Sequence, residues 1–90
     1  MKVYPIDDDV DLLNKHILIK STAYEEEIST IDRIRKVFYI DRVPGAEPIV
    51  YTQSIRTGVS SEGVYLRAVE GWVDKEEVEK LLMWEKLSNG

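Results

Sequence analysis

Residues 25–43 read EEEISTIDRIRKVFYIDRV, and they decide the fold because their first half fits a helix as well as a strand. Three acids open the segment and basic residues follow, which suits the dipole of a helix over residues 25–36. The β-branched residues of this stretch, and the alternation of Ile34, Phe38 and Ile40 with polar neighbours, favour a strand instead. We favour the strand, and the helix, which would give the order β-α-β-β-β-α, stays open as the alternative.

Further strands are predicted on both sides of this segment. Their β-branched and aromatic residues lie in residues 16–23, 49–57 and 64–73. Turn-forming residues fill the connections 44–48 and 58–63, and such short connections predict antiparallel hairpins. The place of the first of these strands in the sheet is undetermined by the sequence.

The C-terminal region predicts a helix over residues 75–87. Asp74 stands where an N-cap is expected, Glu77 follows three residues later, and apolar residues recur at helical spacing. Acids at the start of residues 7–15 suggest a further short helix. We therefore predict a single α+β domain over residues 1–90, an antiparallel β-meander of three to four strands with a C-terminal α-helix packed on one face.

Composition narrows the classes of function. The chain has 90 residues, 43% hydrophobic and 32% charged, which is typical of one globular domain. With no cysteine and one histidine, it excludes thiolate metal sites, cysteine nucleophiles and histidine clusters. The longest aliphatic run, residues 17–19, is too short for a membrane span, and no signal peptide is expected. We expect a cytoplasmic protein without membrane contacts, and its few side-chain amides suggest a thermophilic source.

Two sequence features resemble ligand motifs and fail when their spacing is tested. The acidic cluster Asp7, Asp8, Asp9 and Asp11 suits hard cations, but Leu12 and Leu18 stand where a calcium loop needs glycine and glutamate. Gly58 and Gly63 have the spacing of a phosphate-binding loop, but Val64 and Tyr65 replace its lysine and hydroxyl residue. We therefore predict no metal and no cofactor.

The charges of the chain are unevenly distributed. Residues 1–32, 33–67 and 68–90 carry net charges of −5, +3 and −3, and all five arginines lie in the middle section. Period-two alternation sets Ile34, Phe38 and Ile40 inward on one strand and Ile49, Tyr51 and Ile55 inward on the next. Arginines and tyrosines then lie on the opposite side of the sheet. The predicted binding residues are Arg33, Arg35, Tyr39, Arg56, Tyr65 and Arg67.

An arginine and tyrosine face suits two kinds of macromolecular partner. Protein interfaces are enriched in both residues, and nucleic-acid surfaces use them for phosphate contacts and base stacking. A net charge of −5 opposes phosphate binding, so we expect a non-enzymatic module, regulatory or inhibitory, that binds another protein. Nucleic-acid binding by the same face is the alternative. Pairing of the arginines with the chain's own excess acids, without any partner, also stays open.

Two apolar residues of the C-terminal helix suggest association of the chain with itself. Met83 and Leu87 are four residues apart among charged residues. They lie on the side opposite the apolar arc that helical spacing assigns to Val78, Leu81, Leu82 and Trp84. We expect them at a homodimer interface, with chance exposure as the alternative. A small enzyme with a site assembled across such a dimer is a third hypothesis. His16, the carboxylates and the tyrosines are its titratable candidates, but no motif supports it, and no catalytic residue is assigned.

Overall fold

The computed structural model describes residues 1–7, 10–61 and 63–89, and it confirms the predicted α+β class. One antiparallel five-stranded sheet carries a C-terminal helix on one face. The strands are β1 (His16–Ile19), β2 (Ile34–Asp41), β3 (Ile49–Ser54), β4 (Val64–Tyr65) and β5 (Val69–Val73). The helices are α1 (Thr30–Arg33) and α2 (Lys75–Asn89), with short 3₁₀ turns at Ser21–Ala23 and Leu66–Ala68.

The sheet has five strands, more than the predicted three to four, because residues 64–73 form two strands. The 3₁₀ turn Leu66–Ala68 separates them, so that β4 pairs with β3 while β5 pairs with β1. The resulting order is β4-β3-β2-β1-β5. β1 thus lies inside the sheet, between β2 and β5, a position that its local sequence does not reveal.

Residues 25–36 contain both of the predicted alternatives. α1 is a single helical turn, and β2 begins directly after it at Ile34. The hydroxyl of Ser29 donates to the Asp32 carboxylate at 2.8 Å at the start of this turn. The favoured strand is therefore correct from Ile34 onwards and wrong for residues 25–33, because residues 25–29 form neither helix nor strand and residues 30–33 form α1. From Ile34 the chain pairs with β1 on one side and β3 on the other, and this pairing stabilises the extended backbone.

A β-bulge in β2 reverses the side-chain alternation on which the predicted binding face depends. Val37 pairs with Thr52 and Tyr39 pairs with Tyr51, so Phe38 is an extra residue on the bulged strand. Side chains beyond the bulge point to the opposite side from the one that strict alternation predicts.

Both faces of the sheet bury apolar residues, so the prediction of one inward side is wrong. On one face, the loop face, the buried residues are Ile17, Ile19, Val37, Val50 and Val69, covered by Leu12 from the segment before β1. On the other, the helix face, they are Leu18, Ile34 and Val73, which pack with Val78, Leu81 and Leu82 of α2. The physical reason is that two different segments of the chain cover the sheet from opposite sides.

α2 follows Asp74 directly and ends two residues beyond the predicted helix. The Val78 N–H donates to the Asp74 carbonyl at 3.2 Å. Acids in its first turn and Lys86 in its last turn complement the helix dipole. None of the helices in the described part of the chain is long and apolar enough to cross a membrane.

The N-terminal segment protects the β5 edge of the sheet. Tyr4 and Trp72 exchange two backbone hydrogen bonds, of 2.8 and 3.0 Å, and their rings stack with centroids 4.4 Å apart. The Tyr4 hydroxyl also donates to the Asp74 carboxylate at 3.0 Å. The N-terminus is thereby fixed to the end of β5 and the start of α2.

The short helix predicted for residues 7–15 is wrong for the described residues of this segment, which are not helical. Asp8 and Asp9 lie outside the described residues, and residues 10–15 form a turn with Asn14 in the left-handed region at φ 68°. The Asp11 carboxylate accepts the Leu13 N–H at 3.0 Å, and such a local hydrogen bond competes with helix formation.

Two adjacent leucines allow a test of whether the segment before β1 covers the loop face. Leu12 is 1% exposed and Leu13 is 45% exposed. We expect Leu12→Ala to lower the free energy of unfolding by about 2–5 kcal/mol, because it leaves a cavity in the core, and Leu13→Ala to change it by less than about 1 kcal/mol. Urea unfolding followed by circular dichroism measures both. Equal losses in the two variants would show that this segment does not cover the sheet.

Candidate functional site

α2 leaves part of the helix face uncovered. The helix packs on Leu18, Ile34 and Val73. In the described part of the chain, no helix packs on the far end of β2, on the first residues of β3 or on β4. Tyr39 is 55% exposed and Tyr65 is 49% exposed on this part of the face. Such half-exposed aromatic side chains are candidates for contact with another molecule.

The uncovered residues form one patch, which we call the tyrosine surface: Ile49, Tyr39, Tyr51 and Tyr65. Cross-strand pairing joins Tyr39 to Tyr51 and Ile49 to Tyr65, so all four side chains share the helix face. The Tyr39 and Tyr51 rings are 5.8 Å apart between centroids. Gly63 packs beneath this patch, and a β-carbon there would overlap Ile49 and lie 3.0 Å from the Tyr51 ring.

Arg33, at the end of α1, and Arg35, near the start of β2, serve the chain's own structure. Arg33 donates from Nη1 to the Ile19 carbonyl at 3.0 Å. Arg35 lies on the loop face, where its Nε donates to the Thr52 hydroxyl at 2.7 Å and its Nη2 to the Val59 carbonyl at 3.3 Å. Both guanidinium groups therefore link neighbouring segments of the fold.

Arg56 and Arg67 pair with acids of the chain. Arg56 bridges two helices, since Nη1 lies 2.8 Å from Asp32 Oδ1 and Nη2 pairs with Glu85. Arg67 pairs with Glu47 at 3.5 Å, and its guanidinium carbon lies 4.8 Å from the centroid of the Tyr65 ring. Arg67 is thus the predicted arginine that adjoins the tyrosine surface.

The structure brings together half of the predicted binding residues and separates the rest. Tyr39, Tyr65 and Arg67 belong to one region, while Arg33, Arg35 and Arg56 do not. The bulge at Phe38 is the main reason, because it puts Tyr39 on the face opposite Arg35. That any of these residues binds a partner stays a prediction.

The outward side of α2 exposes three large apolar residues. Met83, Trp84 and Leu87 are 63%, 71% and 73% exposed. Met83 and Leu87 were expected there, whereas helical spacing assigned Trp84 to the buried side. Residues three and four positions apart are neighbours on a helix, so the three side chains form one stripe. We call it the α2 stripe.

A cleft lies between α2 and the helix face, next to the tyrosine surface. Its volume is about 310 Å³. Three directly paired residues of neighbouring strands, His16, Lys36 and Gln53, form its floor. Lys75 and Glu79 of α2 line the opposite wall. Because Gln53 follows Tyr51 by two residues on β3, the floor continues directly into the tyrosine surface.

His16 is half buried in this cleft, and its pKa is lowered from the ordinary 6.5. Burial is the largest cause, and the positive charges of Lys36 and Lys75 add to it, while Glu79 opposes them. Glu79 lines the same cleft, but no hydrogen bond joins the imidazole to any residue described in the structure. His16 therefore lacks the orienting carboxylate that a catalytic histidine uses.

Sequence reasoning missed three residues of the exposed surfaces, Ile49, Tyr51 and Trp84. Tyr51 was assigned inward together with Ile49, and Trp84 was assigned to the buried arc of the helix. The alternation on β3 correctly placed Tyr51 beside Ile49, but nothing local indicates that α2 stops short of them. Trp84 lies at the border of the apolar arc, where helical spacing alone does not show whether a side chain is buried or exposed.

Neither known families nor known structures identify this site. No family model matches the chain, and no curated protein or solved structure is significantly similar to it. Within residues 1–7, 10–61 and 63–89, no group of three or more acidic, histidine or cysteine side chains is arranged to hold a metal ion. The tyrosine surface, the α2 stripe and the cleft are therefore the features of the molecule from which we infer a function.

The lowered pKa of His16 predicts how stability depends on pH. Because the unfolded chain binds a proton at about pH 6.5 and the folded chain only at lower pH, His16 costs no stability above 6.5. Stability is lost as the pH falls from 6.5 through the folded pKa. We expect wild-type urea midpoints to fall between about pH 7 and pH 5.5, where carboxylates remain ionised. His16→Gln should remove that fall, and an unchanged fall in this variant would exclude His16 as its source.

Proposed function

We propose that this protein is a non-enzymatic interaction module that binds a protein partner through the tyrosine surface. The carrying observation is that Tyr39, Tyr51 and Tyr65 share the part of the helix face that α2 leaves uncovered. The sheet holds these residues in fixed positions, so little conformational entropy is lost when a partner covers them. A small regulatory or inhibitory protein of the cytoplasm is consistent with this reading.

The chemistry of the surface suits a protein. Tyrosine combines a large rigid ring with a polar hydroxyl, and tyrosine and arginine are enriched among the residues that dominate binding energy. Ile49 adds an aliphatic centre between Tyr51 and Tyr65, and Arg67 lies over the outer ring. An apolar centre with a polar and charged rim is the usual anatomy of a protein interface.

The charges near the tyrosine surface favour a protein over a nucleic acid. Glu47 offsets the charge of Arg67, and Asp41 shares the helix face with Ile49, its partner on β3. Nucleic-acid affinity comes largely from neutralising phosphates, which requires uncompensated positive charge. The remaining predicted arginines donate to the chain's own carbonyls, hydroxyl or carboxylates. Nucleic-acid binding is therefore the weaker alternative.

We also propose that the α2 stripe joins two copies of the chain. The residues at a helix–helix seam recur at alternating spacings of four and three. On α2 this spacing is followed by Glu76, Lys80, Met83 and Leu87. In an antiparallel pair, the acidic first turn of one α2 lies beside the last turn of the other, which contains Lys86. The two helix dipoles also oppose each other favourably in this arrangement. The stripe alone is smaller than the roughly 800 Å² per partner of a standard interface, so we expect a weak dimer.

Two tyrosine substitutions test the partner-binding surface. Tagged wild-type protein, the variant Tyr39→Ser with Tyr65→Ser, and the control Val59→Ser are used to purify partners from nuclease-treated extract of the source organism. The partner retained by the wild type is then purified for calorimetry. We expect the double variant to bind it at least about 30-fold more weakly, because buried interface tyrosines often contribute 2 kcal/mol or more.

The control and a second assay make this test decisive. Val59 is as exposed as the tyrosines but lies in the turn after β3, so Val59→Ser should retain full affinity. Equal affinity of the double variant and the wild type would refute the tyrosine surface as the binding site. Gel retardation of RNA or DNA at about 50 mM salt, abolished by the tyrosine changes, would support the nucleic-acid alternative instead.

Light scattering tests the dimer. We expect the average mass of the wild type to rise towards that of two chains between about 10 μM and 1 mM protein, as for a weak dimer. Met83→Glu with Leu87→Glu should remain at the mass of one chain, because it places acids within the seam. Glu70→Lys, an exposed change of charge on β5, is the control and should behave as the wild type does. A wild-type monomer at every concentration would refute the dimer.

A further inference from the structure

The cleft between α2 and the sheet has an unusual distribution of charge. Lys36 lies on a central strand and is only partly exposed, yet no acidic side chain among the described residues forms an ion pair with it. Lys75 faces the same cleft and has only a marginal pairing with Glu79, at 4.0 Å. A partly buried cation without a counter-charge is costly, so the cleft favours an anion.

The cleft also has an apolar side. Ile55 after β3 and the α2 residues Val78 and Leu82 form its apolar lining. The side-chain amide of Gln53, on the floor beside Lys36, offers a further hydrogen-bond donor. A volume of about 310 Å³ lies at the lower end of the range of small-molecule sites. The cleft can therefore accommodate an anionic group beside its lysines and a small hydrocarbon or ring on its apolar side.

We propose that this cleft binds a small organic phosphate, with the phosphate group on Lys36, Lys75 and His16 and the organic part on Val78 and Leu82. A phosphate monoester carries close to two negative charges and accepts several hydrogen bonds, which matches two ammonium groups and an imidazole. A carboxylate has two acceptor oxygens against the three of a phosphate, so it matches these three donors less well. The site is therefore distinct from the tyrosine surface, which holds no unpaired cation.

The imidazole of His16 reports whether a dianion enters the cleft. The charged groups near it are Lys36 on β2, Lys75 and Glu79 on α2, and Lys15 and Asp74, which line the adjoining end of the helix. Without ligand, burial and the two cleft lysines lower its pKa. A phosphate beside it favours the charged imidazolium, so binding raises the pKa of His16.

Nuclear magnetic resonance with phenyl phosphate as the probe tests the proposal. We expect the amide signals of Lys36, Gln53 and Lys75 to shift and the pKa of His16 to rise, while phenol produces no rise. Sodium chloride at equal ionic strength controls for screening. Lys36→Gln should weaken the apparent affinity roughly tenfold, because a charge-assisted hydrogen bond to phosphate is lost.

The control is an exposed lysine outside the cleft, directly after β1. Lys20→Gln removes one positive charge there, and its affinity should stay within about twofold of the wild type. Equal affinities of Lys36→Gln and the wild type, or signal shifts confined to other residues, would overturn the proposal. Lys75→Gln provides a second variant should Lys36→Gln fold poorly. The double tyrosine variant should still bind phenyl phosphate, so this proposal and the proposed function fail separately.

Discussion

The burial of β1 on both faces is the constraint on which the rest of the structure depends. Ile17 and Ile19 point to the loop face and Leu18 to the helix face, and all three are almost fully buried. Because this short strand lies inside the sheet, apolar cover is needed above it and below it. The N-terminal segment covers one side and α2 covers the other, so the two ends of the chain meet around the same strand.

The part of the helix face that stays exposed is determined by the width of α2. A helix with its side chains is about 10 Å wide, whereas five strands span roughly 20 Å, so one helix covers about half of a sheet face. The half under α2 has aliphatic residues, and the other half has tyrosines. Tyrosine tolerates partial exposure because its hydroxyl is solvated while its ring packs on its neighbours. The residue types of the two halves therefore match the area that α2 covers and the area that it leaves exposed.

Local sequence patterns predicted the class, the hairpins and α2, since these depend on periodicity, turn residues and capping within a few positions. The bulge at Phe38 and the return of β5 to β1 depend on contacts between distant segments, and no local signal indicates them. For the same reason Arg33 and Arg35 were grouped with Tyr39, from which the structure separates them. Their true partners, the Ile19 carbonyl and the Thr52 hydroxyl, lie 14 and 17 residues away.

The two edges of the sheet leave little unpaired backbone open to another chain. Tyr4 occupies part of the β5 edge through its bridge to Trp72, and β4 at the other edge is only two residues long. Open strand edges template the addition of further strands, and such growth has no natural end. Here the backbone groups offer little for that growth, so side chains are the groups left for contact with another chain. The proposed pairing of two α2 helices about a two-fold axis would close at two subunits, whereas growth by added strands would not close.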